Sequence, residues 1–118
     1  MSVIVYGIKN CDTVQRALQA LDAAGIAYQF HDFKKQGLDA ATAQRWIDAL
    51  GVDVVVNRKG TTWRQLDASV QAKVSDAASA RSLMLAHPSV IKRPVLVAGD
   101  ARQVTVGVNE EAWSRVVT

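Results

Sequence analysis

At 118 residues, 49% of them hydrophobic, the chain is long enough to bury a core of its own, and a single domain over residues 1–118 is expected. One cysteine excludes an internal disulfide, and His31 and His87 stand apart without thiol partners, so no metal site is expected. The formal charge of +3 is spread over Lys9, Lys34-Lys35, Arg58-Lys59, Arg64 and Lys92-Arg93 instead of one basic block, which argues against nucleic acid as a partner.

From the N-terminus, Val3–Tyr6 reads as a short buried strand. Val14, Ala17, Leu18 and Leu21 follow at i, i+3, i+4, i+7 spacing, predicting a helix from Asp12 to Ala24 that Gly25 stops. Between the two, Gly7, Lys9 and Asn10 lead to Cys11, a lone thiol at a helix N-terminus. Unpaired N–H groups and the positive end of the helix dipole favour a thiolate there. A free cysteine is equally at home as a small buried hydrophobe, and position alone leaves both readings open. Asn10 is expected to cap the helix. Ile26 to Phe33 reads as a second strand, closed by a turn at Lys34-Lys35-Gln36-Gly37.

Leu38-Asp39 opens the next helix, with Asp39 as N-cap, Trp46, Ile47 and Leu50 as its apolar face, and Gly51 at its end. Val52–Val56 is strand-like by propensity, although a short β-branched run has the same pattern as a buried helical turn. A polar loop at Asn57–Thr62 precedes a brief helical turn at Trp63–Leu66. Ser75 is expected to cap a helix running to Ala86, which His87-Pro88 ends. Pro94–Val97 and Gln103–Val106, joined by Ala98-Gly99-Asp100, predict a hairpin. Asn109 is expected to cap a last helix bearing Trp113, Val116 and Val117. Trp46, Trp63 and Trp113 are expected in the core, and His31 as a packed or surface side chain.

The order β-α-β, helical insertion, β-β-α is the thioredoxin topology, an α/β fold with a mixed four-stranded sheet. In that fold several of the basic loops can converge, and they would then make a small anion pocket. The N-terminus lacks the apolar core of a signal peptide and no stretch reaches the length of a membrane span, so a cytoplasmic protein in a reducing compartment is expected.

Tyr6-Gly7-Ile8-Lys9-Asn10-Cys11-Asp12-Thr13-Val14, His31-Asp32-Phe33-Lys34-Lys35, Asn57-Arg58-Lys59-Gly60-Thr61-Thr62-Trp63-Arg64, Leu83-Met84 and Ile91-Lys92-Arg93-Pro94-Val95-Leu96 occur in that order. Together they make the chain resemble the arsenate reductase (ArsC)/Spx family, in its YffB-type branch. The resemblance implies a thioredoxin-like fold with a helical insertion and a reactive Cys11 assisted by Arg58 and Arg93. It further implies binding of glutathione, as co-substrate and not as a tightly held cofactor, through Lys9, Asn10, Arg58, Arg93 and a cis Pro94. Glutaredoxin-linked arsenate reductases of the family carry a third arginine after the second hairpin strand, where this chain reads Val104-Thr105-Val106-Gly107-Val108. Arsenate is therefore expected to be a poor substrate. The regulatory Spx branch carries a Cys-x-x-Cys pair, and Val14 occupies its second position here.

The leading expectation is thus a glutathione-dependent thiol reductase acting on a small or protein-bound thiol, with glutathione or another small thiol as partner. The alternatives are a redox-linked regulator that binds RNA polymerase, and a weak arsenate reductase. A monothiol suffices for the first, because thiol–disulfide exchange can take its resolving thiol from solution.

Overall fold

The computed structural model describes residues 3–99 and 103–107. The chain divides into two units, the first comprising the segments up to Gly37 and from Arg93 onward, the second Leu38–Lys92. The second interrupts the first in sequence, between its β-α-β and hairpin portions, which is the insertion expected from the element order.

In the first unit four strands form one sheet: β1 (Val3–Gly7), β2 (Gln29–Asp32), β3 (Val95–Ala98) and β4 (Gln103–Val106), in the order β2-β1-β3-β4. β1 runs parallel to β2, with Gly7 opposite Asp32, and antiparallel to β3. β3 and β4 form the antiparallel hairpin. The sheet is mixed and the fold thioredoxin-like, as expected. Alternation in β1 buries Val3, Val5 and Gly7. Val3 and Val5 join Leu96 and Ala98 of β3 and Ala17 and Leu21 of α1 (Asp12–Ala23) in one core, edged by Leu18, Ile26, Tyr28 and Phe30.

β2 is shorter than the expected Ile26–Phe33, and the end of α1 explains it. The Gly25 N–H donates to the Asp22 carbonyl and the Ile26 N–H to that of Leu21, the pair of bonds that defines a Schellman cap, with Gly25 at φ 72°. Ile26 is thereby committed to closing the helix, and the ladder begins only at Gln29.

The second unit is helical. Asp39 caps α2 (Ala40–Leu50) as expected, accepting the Thr42 N–H at 2.7 Å. The expected strand at Val52–Val56 is instead a helical turn, α3 (Val52–Val55). The Gly51 carbonyl accepts the N–H groups of Val54 and Val55, and only Val56 makes an isolated bridge, with Ile91. The next helix, α4 (Thr61–Gln65), starts two residues before the expected Trp63. α5 (Ala68–Lys73) was not expected at all. It is a short segment whose one larger apolar side chain, Val70, is half-buried, so no periodicity announced it. The contact between α2 and α6 (Ala77–Ala86) buries Trp46 and Ile47 on one helix and Leu83 and Met84 on the other.

The cap of α6 is Asp76, not Ser75. Asp76 accepts the Ser79 N–H at 2.8 Å while the Ser79 hydroxyl oxygen accepts the Asp76 N–H at 3.1 Å, a reciprocal capping box. The Ser79 backbone N–H, and secondarily its hydroxyl, holds the Asp76 carboxyl below its usual range. The folded chain therefore releases this proton more readily than the unfolded one, and the stabilisation is complete above the unfolded value and lost as pH falls through the folded value. Asp76→Asn keeps an acceptor but not the charge. It is expected to flatten the acid limb of melting temperature against pH, and an unchanged limb would show that the cap is not coupled to stability. The expected last helix, from Asn109 through Trp113, lies outside the described residues.

Candidate active site

Cys11 is the N-cap of α1, with φ −117° and ψ 123°, and its carbonyl accepts the first helical bond from the Gln15 N–H at 2.9 Å. Its side chain caps nothing and is half-buried. Asn10 therefore does not cap the helix, because the chain enters helical geometry one residue later than that reading requires. Asn10 is exposed on the loop instead.

The loop before Cys11 is held at both ends of Lys9. Its carbonyl accepts from Gln15 Nε2 at 2.6 Å, and its N–H donates to Asp32 Oδ2 at 3.4 Å. Asp32 closes β2 and is buried, and its other oxygen accepts the Lys34 N–H at 2.9 Å, an Asx turn. His31 Nε2 lies 2.8 Å from the Gly37 carbonyl and so carries the hydrogen of that bond, while its ring rests against Tyr6 at 4.8 Å. His31 is a structural side chain, as expected.

These loops enclose a cavity of about 540 Å³, a size suited to a small molecule. Ile8, Lys9, Asn10 and Cys11 form one wall, Asp32, Lys34 and Lys35 another, and Arg93 a third. The expected convergence of basic loops thus occurs for Lys9, Lys34, Lys35 and Arg93. Four cationic side chains against one carboxylate leave the cavity positive around the sulfur. The Arg93-Pro94 peptide bond is cis. Pro94 is buried and contributes its carbonyl to the Gly107 N–H at 2.9 Å, and it is not part of the cavity lining.

Arg58 belongs to the second unit. Its Nη1 contacts Asp53 Oδ1 at 2.5 Å, and its guanidinium carbon lies 5.7 Å from the centre of the Trp63 ring. Trp63 is accordingly half-buried and not a core residue, because one face of its indole carries a cation. Trp46 does lie in the core, at 1% exposure. Trp113 falls outside the described residues. Two cavity residues, Ile8 and Asp32, carried no assigned role in the sequence, and Lys34-Lys35 appeared there as one of several basic loops. The available signal was Asp32 itself, a carboxylate ending a strand directly before a turn.

Comparison with known proteins gives a consistent outcome. The family model described as the ArsC family matches residues 6–116. An uncharacterized protein of Haemophilus influenzae is 38% identical over 111 residues, covering 94% of this chain and 95% of that protein. The solved structure of a YffB protein superposes with a TM-score of 0.91 at 43% identity, covering 99% of this chain and 100% of that one. An arsenate reductase (ArsC) related protein from Brucella melitensis is 49% identical, with a TM-score of 0.75 over 98% of this chain and 93% of its own.

Proposed function

Because the chain belongs to the ArsC family, we propose that it is an oxidoreductase of the thiol-reductase kind, with Cys11 as its nucleophile and glutathione as co-substrate. The observation that carries this reading is the placement of Cys11, at a helix N-terminus with no capping bond, in a cavity lined by Lys9, Lys34, Lys35 and Arg93. Cations and helix N-termini favour thiolate over thiol, and the thiolate is the attacking species.

In the proposed cycle the Cys11 thiolate attacks the glutathione sulfur of a mixed disulfide. The Cys11–glutathione bond forms, the original S–S bond breaks, and the substrate leaves as a thiolate with the electron pair. A second glutathione thiolate then attacks the Cys11 disulfide, releasing glutathione disulfide and restoring Cys11. No further cysteine exists in the chain, so the resolving thiol must come from solution. Arg93 is the side chain best suited to fork onto a glutathione carboxylate, with Lys9 and Asn10 adding donors from the Cys11 loop and the Pro94 segment setting the direction of Arg93. The resemblance extends a role to Arg58, and a shift of the thiol's titration in Arg58→Gln is the measurement that assigns it. The reducing cytoplasm is the compartment in which this cycle would run.

Family membership also favours some arsenate reduction, but β4 and the residue after it present Val104, Thr105, Val106 and Gly107 where a third cation would stand. The test of the thiol-reductase reading is incubation with glutathione disulfide followed by mass spectrometry. One glutathione per chain, removed by excess reduced glutathione, is expected. The reading fails if no adduct forms, or if the thiol alkylates no faster than free cysteine at neutral pH.

A further inference from the structure

Asp32 has no part in the sulfur chemistry above, yet it is a charged wall residue only 8% exposed, in a cavity whose other charged groups are cations. Both carboxylate oxygens are committed to backbone, Oδ2 to the Lys9 N–H of the Cys11 loop and Oδ1 to the Lys34 N–H of the following turn. Pairing of β1 with β2 sets Asp32 opposite Gly7, where the first loop departs, so one side chain spans the roots of both loops. The turn then closes on Asp32 again. Its carbonyl accepts the Lys35 N–H at 3.1 Å and the Gln36 N–H at 2.8 Å, and its own N–H donates to Gln36 Oε1 at 3.2 Å.

This arrangement decides among the roles a pocket carboxylate can play. Each carboxylate oxygen already accepts one backbone N–H, so the group is seen holding main chain and not reaching toward a substrate. A ligand for a cation is unsuited to a wall where lysines and an arginine predominate. What remains is placement. Lys34 and Lys35 are exposed side chains whose own entropy would scatter them, and among the described residues the order they receive comes through the backbone that Asp32 holds.

We infer that Asp32 is a positioning residue that ties the Cys11 loop to the Lys34-Lys35 turn and so makes the site select disulfides carrying carboxylates. The inference rests on the reading of Cys11 as a nucleophile, and adds to it which residues choose among substrates. The reaction that reads it is a single exchange. The Cys11 thiolate bonds to one sulfur of an aromatic disulfide, the S–S bond breaks, and the other half leaves with the electron pair, as the coloured thionitrobenzoate from one probe and, after taking a proton from water, as the ultraviolet-absorbing thiopyridone from the other.

Two probes share that step and differ in charge: dithiobis(nitrobenzoate), with a carboxylate on each ring, and neutral dithiodipyridine. Relative to free cysteine, the wild-type chain is expected to favour the anionic probe, and added salt to narrow the preference. Asp32→Asn removes the cavity's one carboxylate, which by charge alone would raise the ratio of the two rates, so the fall expected here, up to about tenfold, reads the loss of loop positioning. The neutral probe should slow less than the anionic one. Lys34→Gln with Lys35→Gln should lower the same ratio, and Asp32→Ser serves where Asn is not tolerated. A ratio unchanged or raised in the Asp32 variants, an equal fall with both probes, or a ratio indifferent to the two lysines overturns the inference while leaving Cys11 as nucleophile. A wild-type thiol no faster than free cysteine with the neutral probe has a different signature, and removes the nucleophile itself.

Discussion

Cys11→Ser is expected to abolish the glutathione adduct completely and, at the same time, to make the protein more stable. The first half follows from arithmetic, since Cys11 is the chain's one thiol. The second follows from the cap. Cys11 has the extended geometry of an N-cap, but its side chain accepts no bond from the first turn, leaving the Thr13 and Val14 N–H groups without a cap partner. Serine is among the best residues at that position, because its hydroxyl oxygen accepts the second or third helical N–H, and the gain expected is about 0.5–1 kcal/mol. Thermal or urea denaturation of the reduced wild type and of the variant measures it. A serine variant less stable than wild type would mean that the sulfur is a packing element, the competing reading of a lone cysteine. The expected gain instead marks a position where the first-turn N–H groups are kept open for a negative charge.

The parts of this arrangement that were legible in the sequence are those governed by short-range periodicity. The stripe from Val14 to Leu21 defined α1, and Gly25 fixed its end. The alternation in β1 and the apolar run in β3 defined the centre of the sheet. Val52–Val56 was misread because four β-branched residues satisfy a strand's propensity, whereas the decisive factor was the Gly51 carbonyl, which gathers two following N–H groups into a turn. Ser75 and Asp76 are both good caps, and only the reciprocal contact with Ser79 separates them. Asn10 and Cys11 differ by one residue, within the ordinary uncertainty of a helix start, yet that residue decides whether the thiol stands at the N-cap position.

The place of Cys11 at the helix start and the cations beside it were legible, less so what holds them. Lys9, Lys34-Lys35 and Arg93 were readable as basic loops able to converge. Two of those loops are joined by Asp32, which accepts the Lys34 N–H and the Lys9 N–H, the latter a contact between residues 23 apart in sequence. No local pattern encodes such a contact. It becomes visible only once the parallel pairing of β1 with β2 has set Gly7 beside Asp32.

That pairing also makes Gly7 the position where a single methyl group should do most harm. A Cβ on Gly7 would stand 2.8 Å from Val14 Cγ2 and 3.3 Å from Cγ1, with Phe30 Cε1 at 3.6 Å. Val14 is wholly buried and β-branched, so its χ1 has little freedom to turn the methyl groups aside. Relief must come from moving the backbone, either the end of β1, whose Gly7 carbonyl accepts the Phe33 N–H at 3.1 Å, or the first turn of α1 that Cys11 caps. Gly7→Ala is therefore expected to cost about 1–3 kcal/mol in urea denaturation, the range for overpacking a fixed core. It should also slow reaction of the Cys11 thiol with both aromatic disulfides alike, since it displaces the helix terminus and not the lysines. Val14→Ala removes the two methyl groups in the way, so the double variant should cost less than the sum of the single changes. Strict additivity would mean that Gly7 is required for some reason other than its approach to α1.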